Sequence, residues 1–140
     1  MQTPRLVLFH KQSTSARTRF LLLKYGGVCA FDGLPALSRL VEADEEPLET
    51  LSTHPASVVN GAERDLGLAP GDLESEGEFR ARVDSPGGSI EVFLARFTTI
   101  DPPFDWAEQY GARFIDLTQA RGLPDVELQI LRLAYEQILG

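Results

Sequence analysis

The stretch "GEFRARVDSPGGSIEVFLARFTTI" (77–100) constrains the fold more than any other part of the chain. Phe79, Ala81 and Val83 alternate with Glu78, Arg80, Arg82 and Asp84, the two-residue period of a strand with one buried face. "SPGG" turns the chain, and "IEVFLARF" returns it to complete a hairpin. The returning strand is apolar at odd and even positions alike. Such a strand belongs inside a sheet that is covered on both faces. A helix able to cover one of them is written at the end of the chain, in "PDVELQILRLAYEQILG". Pro124 suits its first turn, and Asp125 and Glu127 complement the helix dipole there. Leu128, Leu131, Tyr135, Ile138 and Leu139 form its apolar stripe.

The other elements follow by local punctuation. "RLVLFHK" (5–11) and "TRFLLLKYGG" (18–27) are apolar runs separated by the turn-like "QSTSA", which predicts a pair of strands. "SARTRFLLLKYGG" also fits a helix with a glycine C-cap, because a leucine run does not choose a period. The extended "VCAF" that follows favours the strand. Gly33 to Thr53 is acidic and poor in β-branched residues, and reads as loop with short helical pieces. In "THPASVVNGAERDLGL" Thr53 can cap a helix, Pro55 suits its first turn, and Gly67 followed by Leu68 ends it. Val58, Ala62 and Leu66 are its expected buried stripe, while Gly61 costs roughly 1 kcal/mol against alanine in mid-helix. "DPP" (101–103) breaks the hairpin strand, "DWAEQYG" can form a helical turn, and "ARFIDL" is a further strand. With no internal repeat, residues 1–140 are expected to form a single domain.

Composition narrows the function classes. The chain carries 13 basic and 21 acidic side chains, a formal net charge of −8, so it lacks the basic surface that coats nucleic acid. Cys29 is the single cysteine, which rules out an intrachain disulfide and a cysteine-based zinc site. "MQTPRLVLFHKQ" has neither the apolar core nor the small-residue cleavage site of a signal peptide. No apolar stretch reaches the length of a membrane span. Cytoplasmic residence is the expectation, with neither nucleic acid nor membrane as partner.

Taken in order, these segments resemble the Nudix hydrolase family. "RFLLLKYGG" followed by "VCAF" resembles the strand that leads to the family's diagnostic box. "LVEADEEPLETL" resembles the opening of that box and "AERDLGL" its closing, R-E-U-x-E-E-x-G-U, where U is bulky and apolar. "IEVFLARF" and "ARFIDLTQA" are similar to the segments that follow it. The resemblance implies a Nudix-like α/β/α sandwich around a mixed β-sheet. It also implies hydrolysis of a nucleoside diphosphate linked to another moiety, with magnesium or manganese as cofactor. Acids at i, i+3 and i+4 share one helical face and can reach one cation, which neutralises the charge developing on a phosphoanhydride.

Anchored on Gly67 and Leu68, the three carboxylate positions of the box fall on Gly61, Arg64 and Asp65, and its arginine position on Asn60. Glu63 lies roughly 200° around the helix from Gly61 and Asp65 and cannot replace either. In the opening half Glu45 matches the glutamate, Arg39 stands at the glycine, and the gap to the helix exceeds the family spacing. Asp65 and Glu45 are therefore the residual metal positions, Arg64 is the candidate ligand-binding residue, and no catalytic residue is assigned. The expected protein keeps the fold without the cofactor and binds a nucleotide-like small molecule or a protein. Its alternative is a divergent hydrolase whose displaced acids, Glu45 and its neighbours with Asp65, hold magnesium or manganese. A third expectation is an interaction protein, homodimeric through strand 90–97.

Other chemistry-bearing residues have plainer roles. The acidic run Glu42, Asp44, Glu45, Glu46 and Glu49 reads as a solvated face. His10 and His54 lack partners at ligand spacing and read as structural or surface residues. Cys29, between Val28 and Ala30, reads as a small buried residue. Ser13, Thr14 and Ser15 have no neighbouring base, and neither a nucleophile elbow nor a phosphate-cradling glycine loop is present. Phe104, Trp106 and Tyr110 are expected to pack the sheet edge, with stacking on a nucleobase as the alternative.

Overall fold

The computed structural model describes residues 3–30, 33–41, 55–76 and 79–139. The hairpin that dominates the sequence is its backbone: β6 (Ala81–Ser85) and β7 (Gly88–Phe97) pair antiparallel from Ala81↔Val92 to Ser85↔Gly88. The Ser85 hydroxyl donates to the Gly88 carbonyl oxygen at 2.7 Å across the turn. On its other edge β7 runs parallel to β1 (Arg5–Lys11), from Arg5↔Val92 to Phe9↔Arg96. β1 then pairs antiparallel with β2 (Thr18–Leu22), so the leucine-rich run is a strand.

β3 (Cys29–Ala30), β4 (Arg39–Leu40), β5 (Leu73–Ser75) and β8 (Arg113–Ile115) complete a mixed sheet of order β4-β6-β7-β1-β2-β8, in which β3 also pairs with β1 and β5 with β7. Two short strands were absent from the local patterns. β4 lies in the segment expected to be loop and helix, and β5 follows directly after the first helix. Each is too short to display a period, and each exists because a partner strand satisfies its backbone groups. Residues 42–54 lie outside the described residues, so most of the expected loop-and-helix segment does too.

Among the described residues three helices cover the sheet: α1 (Pro55–Asp65), α2 (Phe104–Tyr110) and α3 (Asp125–Leu139), with a 3₁₀ turn at Leu117–Gln119 before the last. β7 shows why two layers are needed. Ile90, Val92 and Leu94 enter the core beneath α3 with Val7, Phe9 and Phe20. Phe93, Ala95 and Phe97 enter the core on the opposite face with Leu6, Leu8, Val59 and Ala62. The result is an α/β/α sandwich around a mixed sheet. β6 and β5 pair one edge of β7 and β1 the other, and Ile90, Val92, Phe93, Leu94, Ala95 and Phe97 are buried.

Each long helix buries part of its expected stripe and a glutamate beside it. α1 buries Val59, Ala62 and Glu63, with Leu66 just beyond its end, while Val58 is half-buried. α3 buries Glu127, Ile130, Leu131 and Ala134, and leaves Leu139 63% exposed. Of the expected stripes, Ala62, Leu66 and Leu131 are buried, and Val58, Leu128, Tyr135 and Ile138 pack against the two cores.

Candidate functional site

Helix α1 ends as its glycine signal implied. Gly67 adopts a φ of 72°, Leu68 N–H donates to the Glu63 carbonyl at 2.8 Å, and Gly67 N–H donates to Arg64 at 3.2 Å. That paired arrangement satisfies carbonyls the helix end would otherwise leave open. It also fixes the rotation of the preceding turn, so that Gly61, Arg64 and Asp65 look outward.

The outward face offers little to a cation. A side chain at Gly61 would enter open space, its nearest neighbour being Arg64 Nη2 at 3.8 Å. Asp65 sits 3.6 Å from Arg64 Nε, with side chains 56% and 79% exposed respectively. Asn60 is exposed as well. Glu45, the second residual metal position, lies outside the described residues. Among those described, no group of three or more His, Cys, Asp or Glu side chains could hold a metal ion. A hard divalent cation requires several oxygen ligands, and one exposed carboxylate with an arginine beside it does not fit that need.

Glu63 is on no part of the surface. Its side chain turns inward, and Oε2 accepts hydrogen bonds from Gly71 N–H at 2.8 Å and Leu73 N–H at 3.0 Å. This acid is thus committed to the turn that launches β5. Two charge-assisted bonds to backbone hold it there.

A second inward glutamate lies across the sheet. Glu127, expected to complement the helix dipole in the first turn of α3, is 2% exposed. Its Oε1 accepts from Val28 N–H at 2.7 Å. The Tyr25 hydroxyl accepts from Cys29 N–H at 2.8 Å and lies 3.1 Å from both Glu127 Oε1 and the Cys29 carbonyl, to either of which it can donate. Gly27 permits this approach, since a Cβ there would overlap Glu127 Oε1 and the Tyr25 ring. The second glycine of "YGG" therefore serves close packing. Burial, reinforced by the Glu127 charge, pushes both the Tyr25 phenol and the Cys29 thiol above their ordinary ranges. Cys29 is fully buried, as its neighbours implied.

Of the remaining sequence candidates, His54 and the acidic run from Glu42 to Glu49 lie outside the described residues, and the aromatics and His10 have structural roles. Trp106 Nε1 donates to the Leu66 carbonyl at 2.9 Å, and its ring packs on Phe97 and stacks on Tyr110. Phe104 packs edge-on against Phe114, and the Arg19 guanidinium lies 5.6 Å from its ring centre. These aromatics seal the edge of the second core, as expected. His10 is fully buried on β1, with Nε2 donating to the Thr99 carbonyl at 2.8 Å. It pins the segment that follows β7 to the centre of the sheet.

No protein-family model and no curated protein matches the chain significantly. Among solved structures, the C. elegans Ap4A hydrolase matches with a TM-score of 0.54 and 13% sequence identity, over 99% of this chain and 96% of that one. No described helix is long and apolar enough to cross a membrane. At so low an identity the likeness is one of architecture: an α/β fold with a mixed sheet between helical layers.

Proposed function

We propose that this chain is a Nudix-like scaffold whose box helix has lost metal-dependent phosphoanhydride chemistry and which binds a nucleotide-like ligand. One observation carries the reading. The outward face of α1 consists of Gly61, Arg64 and Asp65, Asp65 already faces Arg64, and Glu63 is spent on the Gly71 and Leu73 amides. A cation approaching that face meets one carboxylate and one positive charge. Arg64, exposed and on the face where the box resemblance places a ligand acid, is instead suited to an anionic group of the ligand.

The test offers ADP-ribose, diadenosine tetraphosphate and nucleoside triphosphates with magnesium or manganese, and measures both hydrolysis and melting temperature. The expected result is no turnover, with a nucleotide-dependent rise in melting temperature that does not require metal. Arg64→Ala is expected to reduce that rise. Turnover that Asp65→Ala abolishes would overturn the reading. The complementary variant Gly61→Glu/Arg64→Glu places three acids at i, i+3 and i+4. It is expected to gain manganese binding by calorimetry that the natural chain lacks.

A further inference from the structure

The segment after β7, "TTIDPPFD" (98–105), carries two large apolar side chains that face solvent: Ile100 is 81% and Phe104 52% exposed. Exposed apolar residues are ordinary when scattered singly, but these two are held in place together. Thr98 N–H donates to the Asp72 carbonyl at 2.9 Å, and its hydroxyl to the Gly71 carbonyl at 2.7 Å. The Thr99 carbonyl accepts from His10, and Thr99 Oγ1 donates to the Asp101 carbonyl at 2.6 Å. His10 Nδ1 makes no hydrogen bond among the described residues. A buried unmatched nitrogen is costly, and the fold retains it in fastening Thr99. Pro102 and Pro103 then fix two backbone φ angles before α2 begins. A chain of contacts joins the two apolar residues. Gln12 Nε2 donates to Asp101 Oδ1 at 2.8 Å, Gln12 Oε1 accepts from Arg19 Nη1 at 3.0 Å, and the Arg19 guanidinium faces the Phe104 ring.

We infer that Ile100 and Phe104 are the anchors of a protein-docking surface, and that its partner is a segment combining apolar with lysine or arginine side chains. The inference is independent of the nucleotide reading. Anchors that are already fixed lose little side-chain and loop entropy on binding, which is what the pinned segment provides. Charge names the partner. Each anchor is followed by an exposed acid, Asp101 after Ile100 and Asp105 after Phe104, and neither forms an ion pair among the described residues. Arg19, the cation of the patch, is engaged by Gln12 and Phe104. A lysine or arginine beside an apolar side chain of the partner meets these two carboxylates, and complementary charge steers and orients such encounters. A second copy of this chain, at net charge −8, brings the wrong sign.

The probe is a random peptide library displayed on phage, depleted on the Ile100→Ser variant and then selected on the full chain at physiological ionic strength. Enriched peptides are synthesised and titrated by fluorescence anisotropy. They are expected to combine apolar with basic residues, and to lose roughly tenfold or more in affinity on Ile100→Ser and on Phe104→Ser. Asp101→Asn/Asp105→Asn should weaken binding and flatten its salt dependence. Asp125→Asn/Glu136→Gln, which removes equal charge from exposed positions of α3, should leave binding unchanged. Melting temperatures of the variants separate lost binding from lost fold. A selection that enriches nothing overturns the inference, as does one that enriches acidic or uncharged peptides. Binding indifferent to Phe104→Ser does the same. So does binding that the two double variants weaken alike, since the attraction is then to the charge of the whole chain. Light scattering supplies the last check: a dimer that Ile100→Ser dissociates would make the occupant a second copy and refute the partner named here.

Discussion

Helices α1 and α3 flank the same sheet and are built on one plan with different outcomes. In each, a glutamate occupies a position of the buried stripe: Val59, Ala62, Glu63 and Leu66 on one side, Glu127, Ile130, Leu131 and Ala134 on the other. In each, the buried carboxylate receives backbone N–H groups from a neighbouring loop. The difference lies on the outer faces. The outer face of α3 is an ordinary solvated surface, whereas that of α1 carries Gly61, Arg64 and Asp65 where the box resemblance places three acids. Burial preserves a carboxylate by giving it fixed donors, while an exposed helical surface imposes no such demand. The comparison therefore separates what the fold requires of α1 from what metal chemistry would require of it.

The largest effect should come from the buried acids. Glu127→Ala and Glu63→Ala each strand buried donors, at an expected cost of about 2–4 kcal/mol in chemical denaturation. Should Glu63→Ala prove neutral, the claim that this acid is committed to the fold fails, and it returns as a candidate ligand.

Alkaline pH should act next, and only on the α3 side. The ordinary values are 9.0 for the thiol and 10.0 for the phenol, and both groups are held above them in the native state. Their neutral forms are favoured by folding, so this stability is complete below the ordinary values and is withdrawn as pH climbs past about 9. Urea midpoints compared at neutral and alkaline pH should show the loss, and Tyr25→Phe should reduce its steepness. A flat profile would place the Tyr25–Glu127 contact outside the energetics of folding.

The smallest effect is the most specific to α1. Gly61→Ala should stabilise the protein by roughly 0.5–1 kcal/mol, because the added Cβ meets open space and a helix-interior glycine is costly. A destabilising result would show that the glycine has a packing role, and would weaken the view that this face carries no structural obligation.

Much of the fold was legible in single segments. The hairpin 77–100, the apolar return strand and the glycine end of α1 are local patterns, enforced by a two-residue period or a backbone conformation that one glycine supplies. β4 and β5 were not legible, since two or three residues carry no period and need a partner to exist. The burial of Glu63 and Glu127 was half-written: each sits at i with apolar residues three, four or seven positions away, but charge argued for solvent. The candidate site divided the same way. That Gly61 and Arg64 stand at acid positions is what the box resemblance implies, whereas the commitment of Glu63 to the Gly71 and Leu73 amides depends on a turn that only the tertiary structure brings to it.

By itself the amino-acid order determined the class of the protein: alternation and helical spacing commit each segment to an element, and a strand apolar on both sides demands two covering layers. Only the tertiary structure decided which charges are buried and which share a face. Those outcomes depend on donors and partners brought from distant parts of the chain, and no local pattern encodes the distance between them.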